Sequence, residues 1–156
     1  MELTTTAFAA QGNIPRRHTC EGEDLAPPLR WGGVPDAAKS LVLIVDDPDA
    51  PDPAAPLRTW VHWLVYDIPP SASGLPEGGH PLPEGAREGS NDWHRSGWGG
   101  PCPPIGRHRY FFRLFALDTR LTALPARADR AALERRMQGH VMARTELVGT
   151  YLKQRT

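Results

Sequence analysis

Three groups of side chains in this sequence have the chemistry of a binding pocket. Asp47 and Asp49 flank Pro48 at the end of an apolar run, His62 stands between Val61 and Trp63, and His108 and Tyr110 follow a stretch rich in glycine and proline. Two imidazoles, a phenolic O–H and free glycine N–H groups are all donors to a phosphate or carboxylate. An aspartate beside a histidine fixes its tautomer and raises its pKa. Such a set would hold an anion without Lys or Arg. Each residue also has a plainer role: acids beside a proline serve turns, a histidine in an apolar run is commonly a satisfied core residue, and His108 and Tyr110 could be ordinary strand residues. Two His with one or two Asp could also be a metal site, but no spacing enforces that geometry. Neither metal nor cofactor is expected.

For covalent catalysis the choice of nucleophile is poor. There is no Gly-x-Ser-x-Gly elbow, and Ser96 has only its location to recommend it. Cys102 is the better candidate, because His62 or His108 could stabilise a thiolate. Prolines on both sides suit it equally to rigid packing. Cys20 and Cys102 match no Cys-x-x-Cys spacing, and a reducing compartment predicts two free thiols, with a pair meeting near the site as the other reading.

The elements that must position these groups are strands. Gly97 to Gly106 holds four glycines and three prolines, a loop shaped to hold something, and it runs into a strand through Leu117. Alternation puts His108, Tyr110, Phe112 and Leu114 on one face of that strand. Ser40–Val45 predicts an interior strand, ending at Asp46, and Thr59–Ile68 a second, with Trp60, His62, Leu64 and Tyr66 on one face. Residues 3 to 14 could supply a first strand. Residues 71 to 96, with five glycines and three prolines, predict a long ordered surface excursion toward the site. From Asp129 onward Leu133, Met137, His140, Val141, Val148 and Tyr151 recur at helical intervals, predicting one helix through Tyr151, with Gly139 inside it for close packing. The architecture expected is mainly β: one domain over residues 1–156, an antiparallel β-sandwich with a helix at its C-terminal end.

Eighteen basic residues balance eighteen acidic ones, which removes the long-range attraction to nucleic acid that a basic chain would have. The first residues lack a signal-peptide pattern and no apolar stretch is long enough to span a bilayer, so the reading is a cytoplasmic protein without membrane insertion.

Several motifs in order carry a resemblance: Asp47-Pro48-Asp49-Ala50-Pro51, Trp60-Val61-His62-Trp63, Gly99-Gly100-Pro101-Cys102-Pro103-Pro104 and His108-Arg109-Tyr110, with His18-Thr19-Cys20-Glu21-Gly22, Asn91-Asp92-Trp93 and Gly139-His140-Val141. They resemble the phosphatidylethanolamine-binding protein, or Raf kinase inhibitor, family, in its bacterial YbhB/YbcL-like branch. The resemblance implies a sandwich with Greek-key connections and a small cavity for phosphate-type anions such as phosphoethanolamine head groups. It implies a pocket built from Asp47, His62, Gly100, His108 and Tyr110, lined also by Asp49, Trp60 and Pro101, with Cys20 and Cys102 close by. It also implies a non-enzymatic binding protein and a homodimer. Trp93 and Trp98 stand where relatives carry Phe or Tyr, so the rim differs. A kinase or protease modulator acting through the cavity mouth, and a hydrolase using Cys102 or a histidine-activated water, are the alternatives; the sequence names no protein partner.

Overall fold

The central strand of the fold is apolar on both faces because both faces are covered. The computed structural model describes residues 1–153. Strand β3 (Ser40–Ala50) runs between β4 (Arg58–Ile68) and β7 (Arg107–Leu117), with β8 (Val141–Leu152) and the two-residue β6 (Arg87–Glu88) at the edges, giving an antiparallel five-stranded sheet in the order β6-β4-β3-β7-β8. A smaller antiparallel sheet, β1-β2-β5, is built from β1 (Glu2–Thr4), β2 (Leu29–Gly32) and β5 (Gly74–Leu75). Leu41, Leu43 and Val45 of β3 face the small sheet and join Trp31, Trp63, Phe112 and Leu114 in one core. Val42 and Ile44 face the other way, into a second core with Leu121, Leu124, Leu133 and Met137. Period-two alternation thus feeds two apolar layers from one strand.

The sequence reading of a mainly β, antiparallel fold is met, with four differences in extent. Strand β1 covers only three residues, since Gln11, Gly12 and Ile14 instead bond to the edge of β8 in a loop. Strand β3 continues past Val45 through Asp46 and Asp47 to Ala50, which places the carboxylates on the sheet. The 71–96 excursion contributes β5 and β6 before it reaches the site.

The largest difference lies in the C-terminal helix. It starts as expected, with Asp129 accepting from Ala132 N at 2.9 Å, but α1 ends at Met137. Gly139 is the stop signal: its φ of +83° is the left-handed conformation that terminates helices, and no atom lies within 4 Å of where its Cβ would be, so close packing is not its reason. Val141 to Tyr151 belongs to β8, paired with β7 along its length save for a register shift at Met142. Apolar spacing across a turn imitated helical periodicity, while the β-branched Val141, Thr145, Val148 and Thr150 carried the correct signal.

Candidate functional site

His62 owes its aim to a β-bulge. Val45 pairs with Trp63 and Asp46 with Val61, so His62 is an extra residue on β4 with no counterpart on β3. Strict alternation would send residues 60, 62, 64 and 66 to one face. The bulge breaks it: Val61, Leu64 and Tyr66 enter the second core, while Trp60 and His62 turn to a cavity at the end of the sheet. The ring is then fixed by its neighbours. Nδ1 lies 2.6 Å from Gly99 O, which can only accept, so Nδ1 carries the proton and Nε2 keeps its lone pair. Burial pushes the pKa of His62 down to about 4, partly opposed by the bond to Gly99.

Asp47 and His108 form a closed unit. Asp47 Oδ2 lies 2.6 Å from His108 Nδ1, and Asp49 N donates to Asp47 Oδ1 at 2.7 Å. His108 Nε2 lies 2.9 Å from Ile105 O and 3.1 Å from Pro51 O. Two carbonyl oxygens accept only, so Nε2 bears a proton, and a second proton lies between Nδ1 and the carboxylate. The pair is neutral whichever atom holds that second proton. Burial raises the Asp47 carboxyl above its usual range, with the bond to His108 opposing. No lone pair of His108 remains for proton abstraction.

The cavity, about 430 Å³, lies among Asp47, Pro51, Trp60, His62, Trp93, Cys102, Pro103, Pro104, His108 and Tyr110, with Ala50, Leu57 and Arg58 toward its mouth. Its walls are aromatic. The His62 ring meets Tyr110 edge-on at 5.2 Å and Trp93 at 5.1 Å, and Trp93 meets Trp60 at 5.4 Å. The guanidinium of Arg58 covers the Trp60 ring at 4.5 Å. Tyr110 is 1% exposed, yet its hydroxyl has no partner, and the indole Nε1 of Trp60 is likewise buried and unpaired. Burial, reinforced by the charges of Asp47 and Asp49, keeps the phenol protonated, so both groups are donors.

Five sequence-predicted residues, Asp47, Trp60, His62, His108 and Tyr110, converge on this cavity. Three stand outside its lining. Asp49 is a brace: Oδ2 accepts from Arg109 N and Nε at 2.9 and 3.0 Å, and Oδ1 from Arg109 Nη2 at 2.9 Å, which holds its carboxyl below the usual range. Gly100 N donates to Asp24 Oδ1 at 2.9 Å, not into the cavity, and a Cβ there would collide with Asp24 and His18 O. Pro101 is buried behind it, its carbonyl accepting from Cys20 N at 3.1 Å.

The expectation of two reduced cysteines is overturned. Cys20 and Cys102 form a disulfide with Cα atoms 5.5 Å apart, tying the cavity wall to the 15–25 segment. Cys102 is therefore no free nucleophile. Compartment and local spacing carry no information on two residues 82 apart that the fold brings together. The motif Asn91-Asp92-Trp93, which the sequence showed without a role, supplies supports. Asp92 Oδ2 accepts from Val61 N at 2.7 Å, and Asn91 Oδ1 accepts from Trp93 N at 2.9 Å, which anchors the loop presenting Trp93. Among the described residues no group of three or more His, Cys, Asp or Glu could hold a metal ion, and no helix is long and apolar enough to cross a membrane.

Comparison with known proteins identifies relatives of the whole chain. The chain is 50% identical over 155 residues to a UPF0098 protein of Methanothermobacter thermautotrophicus, covering 97% of this chain and 98% of the relative. A solved structure of a phosphatidylethanolamine-binding protein homolog from Chlamydia trachomatis superposes with a TM-score of 0.89 at 41% identity, covering 97% of both chains. E. coli YbcL superposes with a TM-score of 0.87 at 32% identity, covering 98% of both. The sequence model of the phosphatidylethanolamine-binding protein family matches residues 4–152, and the chain belongs to that family.

Proposed function

We propose that this protein is a non-enzymatic binding protein whose cavity holds a phosphate or phosphoester group of the phosphoethanolamine type. The observation that carries this reading is the pair of buried, unpartnered donors, Tyr110 Oη and Trp60 Nε1, on the same cavity as the open Nε2 of His62. Buried polar groups are almost always bonded, and an orphan in a cavity wall marks a place for a polar ligand atom. Arg58, ion-paired with Asp92 at 3.6 Å, lines the same cavity. Catalysis is disfavoured by the same chemistry: His108 has both nitrogens occupied, His62 is a weak base, and Cys102 is bonded to Cys20.

Isothermal titration with phosphoethanolamine tests the reading. Saturable binding that Tyr110→Phe weakens supports it, and absence of heat at millimolar ligand rejects it. A second reading, a surface for a protein partner, rests on Leu57, a residue of the cavity lining that is 82% exposed. Loss of a partner on Leu57→Ser with anion binding intact would favour it.

A further inference from the structure

We infer that the cavity takes its phosphate ligand together with one proton, as a monoanionic monoester whose P–O–H group donates to His62 Nε2, and so prefers phosphomonoesters to phosphodiesters. The inference rests on the anion-pocket reading above and adds the ligand's protonation state and ester class.

Gly99 N donates to His62 O at 3.1 Å, and Gly99 O accepts from His62 Nδ1 at 2.6 Å, so ring and loop are clasped from both sides and the tautomer is set. With Nδ1–H committed, Nε2 is the acceptor that the ring offers to the cavity it lines. The other open polar groups, the Tyr110 hydroxyl and the Trp60 indole N–H, are donors. A fully ionised phosphate has acceptors only, so it would satisfy the two donors and set an oxygen lone pair against that of Nε2. A phosphate carrying one proton matches all three.

The surrounding charges do not remove the mismatch. From β3, Asp46 is bonded to Arg113 and Arg130, and Asp47 is closed on His108. From β7 come His108, in its neutral pair, and Tyr110. From the 89–99 loop Asp92 is bonded to Val61 N and Arg58. The remaining carboxylates near His62 are thus committed to other partners, while its burial favours the neutral ring. A phosphomonoester loses its second proton at a pKa of about 6, whereas a diester has no proton to bring.

The test is calorimetric titration of the intact protein with phosphoethanolamine, a monoester, and glycerophosphoethanolamine, a diester, between about pH 5 and 8 in buffers of different ionisation enthalpy. The expected affinity for the monoester is level below about pH 6 and falls about tenfold per unit above it, with about one proton taken up per ligand at pH 7.5. The diester is expected to bind at least about tenfold more weakly at pH 6, since it brings no donor to Nε2. Monoester binding that is independent of pH and takes up no proton, or equal affinity for the two esters, overturns the inference while leaving the anion pocket standing. Failure of every anion to bind at every pH overturns the pocket itself.

Discussion

Asp47 Oδ2 lies 2.6 Å from His108 Nδ1 with both side chains almost wholly buried, and the far side of the imidazole is closed by the carbonyls of Ile105 and Pro51. The pair joins the end of β3 to the start of β7 and the 101–106 loop, so its first role is to fix the cavity's floor. Removing one partner leaves a buried polar group uncompensated. Asp47→Ala is expected to lower stability by about 3 kcal/mol, read from the urea midpoint. A loss below about 1 kcal/mol would show that the pair is not closed as described.

Tyr110 separates binding from packing. Its hydroxyl has no partner, so Tyr110→Phe removes an orphan from the core. Thermal unfolding should hold level or rise by up to about 1 kcal/mol, while affinity for phosphoethanolamine falls about tenfold. Loss of stability alongside affinity would mean that the hydroxyl is bonded within the free protein.

His62 gives stability a pH dependence of definite sign. Its pKa falls from 6.5 to about 4 on folding. Above about pH 6.5 the ring is neutral in both states and the full stability is present. As pH drops toward 4 the unfolded chain takes up a proton that the folded chain refuses, so stability declines by about 1.4 kcal/mol per unit, roughly 3 kcal/mol in all. Urea melts from pH 7 to 4 should lose this component in His62→Gln, and an unchanged slope in that variant would assign it elsewhere.

Gly100 and Trp60 should respond oppositely to ligand. Gly100 N is bonded to Asp24, while the indole N–H of Trp60 lies unpaired in the cavity wall. In a proton–nitrogen correlation spectrum, phosphoethanolamine is expected to move the Trp60 indole resonance and leave the Gly100 amide nearly still. A large Gly100 shift with a static indole would exchange their roles.

The Cys20–Cys102 bond closes a long loop between the 15–25 segment and the cavity wall. Replacing both residues by alanine should cost about 2–4 kcal/mol in thermal or chemical unfolding. An unchanged midpoint would show that the two segments are held by their other contacts, such as the bond from Cys20 N to Pro101 O.

Strand identities were written locally in the sequence. Runs such as Leu41–Val45 and Val61–Ile68 have the β-branched and aromatic composition of interior strands, and His108, Tyr110, Phe112 and Leu114 do alternate inward as period two requires. Ordered motifs around Asp47, His62 and His108 were equally legible, and with them the family. Four features were decided only by tertiary structure. The bulge at His62 depends on register with β3, which no single strand encodes. The assignment of Val141 to Tyr151 to a strand and not to a longer α1 depends on β8 finding β7. The commitment of Gly100 N to Asp24 and the closure of Cys20 on Cys102 join segments about 80 residues apart. Sequence set which groups the cavity could draw on; the pairing of distant segments decided which still have a free donor or lone pair, because buried hydrogen-bonding groups are claimed by whichever partner the fold brings near.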